Sequence, residues 1–214
     1  MNLEGSLKER CREVISFAWD VFSKKVGNDL ININKEASMQ LQYAHILQQL
    51  LPIIIVNKEE MLKLELETTI SDGTNNREVD LLLYGESKTE SFKIAIELKC
   101  YRKIASSGGK RGATDIFMKS VYEDLCLLEK YCENNQANIG ISLIMNDNEN
   151  FINPKNKVAK CWKYDISDGH KIRGGVKLNT PIGGKDVNIE LKKDYDFNWK
   201  KVNTMWFVEV EGKV

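Results

Sequence analysis

The chain reads as an α/β (α+β) domain, a central mixed β-sheet flanked by helices and followed by an antiparallel β extension. Three observations predict this. Two stretches before residue 52 repeat apolar residues at helical spacing. Three strand-like runs then follow one another between Leu62 and Leu98. Beyond them, a long helical pattern separates the last run from one further buried strand.

Leu7, Cys11, Val14, Ile15, Ala18 and Phe22 recur every three to four residues between Ser6, a capping residue, and Gly27, a stop signal, so residues 6–27 are expected to be helical. A second helix is expected from near Asn34 to Pro52, with Leu41, Ala44, Leu47 and Leu51 on its apolar face. Leu62, Leu64, Leu66 and Thr68 alternate with Lys63, Glu65 and Glu67, the period of a strand. After a polar turn, residues 79–84 and 92–98 are two runs rich in branched and aromatic residues, and the hydrophilic segment Gly-Glu-Ser-Lys-Thr-Glu-Ser joins them as a hairpin. A basic, glycine-rich loop at 106–112 leads to a long helix from Thr114 or Asp115, with Phe117, Val121, Leu125, Leu128 and Cys132 as its stripe. Residues 138–145 form a short apolar strand, and a right-handed crossover would lay it parallel to the strand before the helix. Three later runs, 161–166, 187–191 and 204–210, are strand-like and separated by Gly, Asn and Asp turns. We expect a single domain over 1–214, with a core at about 35–145 and a β-rich extension at about 146–214.

Composition sets limits on function. The 214 residues are 42% hydrophobic and 29% charged, ordinary for a globular chain, and no segment nears the ~18 consecutive apolar residues of a membrane span. Charges stand in the first residues where a signal peptide needs its apolar region, so a cytoplasmic location is expected. Five cysteines, none in a C-x-x-C pair, fit reduced thiols, and two histidines argue against a histidine-built metal site. Thirty-one basic and 31 acidic side chains cancel, so a polyanionic partner requires the basic residues to be gathered on one face.

The anomaly lies between Arg77 and Lys103, where charged residues interrupt apolar strands. A buried carboxylate costs several kcal/mol unless it is paired or bound to a cation. Glu97 and Lys99, two apart, share one face of their strand. A hairpin centred between Ser87 and Lys88 places Asp80 opposite Ala95, on the same face. The same register places Glu78 across from Glu97 as a competing second acid. Two carboxylates beside a lysine suit Mg²⁺, a hard cation that keeps several waters and sits between carboxylates and a phosphate, while the lysine helps position or deprotonate a water. The competing interpretation is a buried salt-bridged pair. Glu36, in the first turn of the second helix, is open to two readings as well: a site acid, or a favourable interaction with the helix dipole of ~0.3–1 kcal/mol.

Asp80, followed after the hairpin by Ile-Ala-Ile-Glu97-Leu-Lys99, is similar to the D…(D/E)xK signature of the PD-(D/E)xK nuclease superfamily. The order of helices and strands over about residues 35–145 resembles the restriction endonuclease-like fold of that superfamily. Val79 stands where the family name has proline. The resemblance implies a metal-dependent DNA endonuclease, of restriction or defence type, that hydrolyses phosphodiester bonds. It implies catalytic roles for Asp80, Glu97, Lys99 and Glu36, and metal binding at Asp80, Glu97 and Leu98. The implied cofactor is one or two Mg²⁺, with Mn²⁺ able to substitute. Arg102, Lys103, Lys110 and Arg111, interleaved with glycines next to the motif, are expected to contact DNA phosphates, with a solvated surface loop as the alternative. Cutting both strands of a duplex needs two sites, so a homodimer is expected. The rival function is a catalytically inactive nucleic-acid-binding or interaction protein on the same scaffold.

Overall fold

The computed structural model describes residues 3–104 and 108–213; Ser106 and Ser107 of the expected basic loop lie outside the described residues. The first helix, α1 (Leu7–Gly27), begins with a reciprocal cap: the Ser6 hydroxyl accepts from the Glu9 N–H at 3.3 Å, and the Glu9 carboxylate accepts from the Ser6 N–H at 2.8 Å. α2 (Glu36–Leu50) continues into a 3-10 turn, Leu51–Ile54, that starts where Pro52 prevents further α-helix. Then come β1 (Met61–Ser71), β2 (Asn76–Glu86), β3 (Ser91–Tyr101), α3 (Thr114–Glu133), β4 (Ile139–Asn146) and a one-turn α4 (Glu149–Ile152). A 3-10 turn, Lys160–Tyr164, precedes six short strands: β5 (Lys171–Ile172), β6 (Val176–Leu178), β7 (Ile189–Leu191), β8 (Tyr195–Asp196), β9 (Lys200–Val202) and β10 (Met205–Glu211).

The main sheet is mixed and has the order β1-β2-β3-β4-β10-β9. Only β3 and β4 run parallel, joined across α3, and the other neighbours are antiparallel. The C-terminal part both continues this sheet, through β10 and β9, and adds two small antiparallel pairs, β5 with β8 and β6 with β7.

Alternation along β3 sorts its residues between two layers. Ile94, Ile96 and Leu98 pack with α1 and α2, whose Val14, Phe22, Tyr43 and Leu47 are fully buried. Each such burial contributes about 1.5–3 kcal/mol. α1 therefore packs into the same hydrophobic core as the sheet, from Leu7 onward. The opposite residues, Ala95, Glu97, Lys99 and Tyr101, face α3: Ala95 packs with Leu128 and Tyr131, and Tyr101 meets Phe117 at 5.2 Å between ring centroids. The C-terminal strands are tied beneath α3 by buried Glu129, which accepts from the N–H groups of Lys192 (2.8 Å) and Lys193 (2.9 Å) and from the Tyr195 hydroxyl (2.8 Å).

Two expectations need correction. Residues 161–166 are not a strand: Tyr164 is buried beneath α3 while Lys160 and Lys163 are exposed, which gives a three-residue repeat where a strand needs two. The hairpin register is also shifted. Ser87–Glu90 forms a four-residue turn, closed by the Ser87 N–H donating to the Glu90 carbonyl at 2.8 Å, so Leu82, not Asp80, pairs with Ala95. Gly85 belongs to the strand because the Phe92 ring fills the space of its absent side chain; a Cβ there would lie 2.1 Å from Phe92 Cζ. The shift is even, so each side chain keeps the face assigned to it.

Candidate active site

The β2–β3 ladder runs from Glu86 opposite Ser91 to Leu81 opposite Ile96 and stops there, whereas β3 stays paired with β4 as far as Tyr101 opposite Asn146. Beyond Ile96, β3 therefore loses its neighbour on one side, and its N–H groups there need other partners. Two acids supply them. Asp80 Oδ2 accepts from the Leu98 N–H at 2.6 Å, and Glu36 Oε2 accepts from the Cys100 N–H at 3.2 Å. On the β2 side, the Gln40 amide from α2 donates to the Asp80 carbonyl at 2.9 Å and to Glu67 Oε1 at 2.6 Å. Glu67 sits in the left-handed region, φ 50°, and β1–β2 pairing passes from Leu66 to Thr68 without it. A non-glycine residue there stores of order 1–3 kcal/mol of strain, held here at the edge of the cluster.

Lys99 stands among these acids. Its ammonium lies 3.0 Å from Asp124 Oδ2, on α3, and 3.6 Å from Glu36 Oε1. Glu97 is 6% exposed, and its Oε1 is buried with no hydrogen-bond partner. The cluster thus gathers four carboxylates, Glu36, Asp80, Glu97 and Asp124, around a single ammonium. Burial is the main force raising the Asp80 carboxyl to about 6, assisted by the negative charge of Glu36 and opposed by the Leu98 N–H and Lys99. Burial likewise pushes Glu97 well above the usual carboxylate range, with the charges of Asp124 and Asp80 adding to it. Asp124 is raised by burial and by the neighbouring Glu36 and Asp80, against the pull of Lys99. For Lys99, burial favours the neutral amine, but Asp124 and Glu36 more than reverse it and keep the ammonium charged.

The arrangement brings together Asp80, Glu97, Lys99 and Glu36. Extending the observed register places Asp80 across from Glu97. Glu78 does not join them: it is exposed and pairs with Thr69 across β1. Of the four basic residues near the motif, Arg102 is directed inward, with Nε 3.0 Å from Asp147 and a second nitrogen donating to the Ile33 carbonyl. Lys103 and Lys110 are exposed, and half-buried Arg111 accepts from the Tyr101 hydroxyl through its carbonyl at 3.0 Å.

Asp124, Gln40 and Glu67 were not expected from the sequence. Asp124 could have been found, since it falls three residues after Val121 and next to Leu125, an acid on the buried face of an otherwise apolar stripe. Gln40 and Glu67 carry no such signal, because their roles arise only from the gap between β2 and β3.

A divalent cation fits this donor set. All its donors are hard oxygens, Glu97 Oε1 takes no N–H donor and its carboxyl neighbours that of Asp80, and Asp80 has one oxygen besides the one turned to Leu98. The Leu98 side chain is buried against the helices, so that residue could offer only its carbonyl, which leaves the strand on the same side as its N–H. Among the described residues, no three Asp, Glu, His or Cys side chains are gathered tightly enough to hold a cation by themselves. Mg²⁺ commonly makes do with one or two carboxylates and its own waters.

The described helices include none long and apolar enough to cross a membrane, and the five cysteines are unpaired. Comparison with protein-family models, curated proteins and solved structures finds no match to this chain.

Proposed function

We propose that the protein is a metal-dependent endonuclease of the PD-(D/E)xK type, hydrolysing phosphodiester bonds in DNA with Mg²⁺, or Mn²⁺ in its place. The observation that carries this reading is the buried, unpartnered Glu97 Oε1 in a cluster whose four carboxylates outnumber its one ammonium. Burial and mutual repulsion raise the carboxyls of Asp80, Glu97 and Asp124, so without a cation the cluster tends to hold protons, and a divalent cation can take their place. Asp80 and Glu97, with the Leu98 carbonyl, would hold the ion. When bound, it would lower the pKa of a water and offset charge developing on the phosphate. Lys99, fixed as an ammonium by Asp124 and Glu36, donates to the attacking water or to a phosphate oxygen. Glu36 and Asp80 also hold β3 in place, each with one oxygen on a main-chain N–H.

A second reading keeps the scaffold and removes the chemistry. It is favoured by the Lys99–Asp124 pair and the two carboxylate-to-backbone hydrogen bonds, which suit a structural ion network in a nucleic-acid-binding protein. Plasmid nicking in Mg²⁺, compared with EDTA and with Glu97→Ala and Lys99→Ala, separates the two. The enzyme reading predicts metal-dependent nicking that both variants lose by at least about 10²-fold. Wild-type activity no greater than that of the variants, across varied DNA, would overturn it. Action on both strands of a duplex would require two copies of the site, and a homodimer supplies them.

A further inference from the structure

We propose that the segment from Lys155 to Lys163 is a second phosphate-contacting wall, lying beside the loop of Lys103, Lys110 and Arg111 and taking the backbone of duplex DNA. This rests on the nuclease reading for the identity of the polyanion. The segment follows the end of β4, and the first basic loop follows the end of β3. Because β3 and β4 are parallel, both leave the sheet at the same edge, where Lys99 also lies.

Tyr101 joins the two. Two residues beyond Lys99 on the same face, its hydroxyl donates to the Arg111 carbonyl at 3.0 Å, and its ring meets Phe151 of α4 at 4.9 Å. Phe151 also touches Phe117 of α3 at 5.1 Å, and Tyr164, which closes the segment, packs on Tyr122 of α3 at 5.5 Å. Both ends of the segment are thus fixed on α3 and the end of β3, and what lies between is turned outward.

Charge identifies the partner. Residues 155–164 hold four lysines and no acid. Lys157 is engaged with Asp165 at 2.6 Å, but Lys155, Lys160 and Lys163 are exposed and form no ion pair among the described residues. Many cations of the later strands are neutralised, among them Lys177 on Glu190 at 3.3 Å and Lys192 on Glu133 at 2.8 Å. Val158, between the free lysines, is 90% exposed. A bare apolar side chain on a segment with three exposed, unpaired lysines is poorly explained by packing and well suited to lie against the sugar-phosphate backbone.

The test is binding of a fluorescein-labelled duplex of about 30 base pairs, followed by anisotropy over a salt series in Ca²⁺ and, separately, in EDTA. Three proteins are compared: wild type, the Lys155→Ala/Lys160→Ala/Lys163→Ala variant, and Lys58→Ala/Lys63→Ala/Lys88→Ala, which removes three exposed lysines from the opposite edge. Losing three phosphate contacts should make the slope of log K against log salt shallower by about 2–3 and weaken low-salt binding by at least about tenfold. The far-edge variant should bind as wild type does, and all three should share one unfolding midpoint. Unchanged slope and affinity in the first variant overturn this proposal and leave the nuclease reading standing, as does an equal loss in the far-edge variant, which would mark a net-charge effect. Absence of wild-type binding in both buffers overturns the DNA reading itself.

Discussion

Replacing Asp80 with asparagine should stabilise the metal-free protein above neutral pH and abolish its response to Mg²⁺. In the fold the Asp80 carboxyl is raised to about 6, whereas an unfolded aspartate titrates near 3.9. The folded state therefore binds the proton more tightly. Asp80 carries no penalty below the unfolded value, and stability is lost as the pH rises through the window from about 4 to about 6. A difference of about two units at 1.36 kcal/mol each gives roughly 3 kcal/mol of destabilisation at pH 8. Asparagine removes the charge and keeps an oxygen for the Leu98 N–H, as the protonated carboxyl does; the value of about 6 already includes that hydrogen bond. The expected gain is therefore about 3 kcal/mol at pH 8, or roughly 6–12 °C in unfolding temperature for a chain of this size. Near pH 4 the difference should vanish.

The assay is thermal and urea unfolding of both proteins in EDTA at pH 4, 6 and 8, repeated at pH 8 with Mg²⁺. Cation at 100 times its dissociation constant adds about 2.7 kcal/mol to wild type and should leave the variant almost unmoved. If the variant is less stable than wild type in EDTA at pH 8, the charged carboxylate is itself structural, and the view of this cluster as a cation site fails. Wild type indifferent to Mg²⁺ would lead to the same conclusion.

Asp124→Asn removes the closest partner of the Lys99 ammonium, 3.0 Å away, so plasmid cleavage at saturating DNA should fall about 10–10²-fold, with a shifted pH profile and unchanged DNA affinity. An unaltered rate and profile would make Asp124 a bystander. Glu129→Ala leaves the Lys192 and Lys193 N–H groups and the Tyr195 hydroxyl without their acceptor, at a cost of about 3 kcal/mol or more by urea unfolding. Its cleavage rate should match wild type wherever it is folded, because Glu129 contacts none of Asp80, Glu97 or Lys99.

Much of the architecture was legible because it rests on periodicity. The helical stripes around Phe22, Leu47 and Leu125, and the alternation through Ile94, Ile96 and Leu98, each encode one element and one buried face. The hairpin register was not legible in the same way. Gly85 and Glu86 look like turn residues, and only the Phe92 ring lying over Gly85 shows that they continue the strand. The expected strand at 161–166 failed for a similar reason: six residues are too few for their spacing to separate a strand from a 3-10 turn. In the cluster, Glu97 and Lys99 follow from their two-residue spacing alone. Asp80 needed an even register, which the chain has. Whether Glu36 or Glu78 joined could not be read locally, since it depends on how far β2 and β3 stay paired.

That separation of the strands accounts for the cluster physically. Had the β2–β3 ladder continued past Ile96, the Leu98 and Cys100 N–H groups would have met backbone carbonyls, leaving no reason for acids to approach. Once it opens, two buried donors need acceptors, and a carboxylate, with two oxygens, can satisfy one donor and keep the other oxygen free. Asp80 and Glu36 both do this: one oxygen binds a main-chain N–H, and the other is left for Lys99 or for a ligand. The backbone hydrogen bonds therefore fix the direction of the free oxygens without consuming them. A packing solution to the same gap would have used neutral amides, as Gln40 does beside the Asp80 carbonyl. Acids at these positions, with Glu97 and Asp124 behind them and one lysine between, make a gap in a sheet into a fixed array of carboxyl oxygens, which under the proposed reading is where a cation would replace protons.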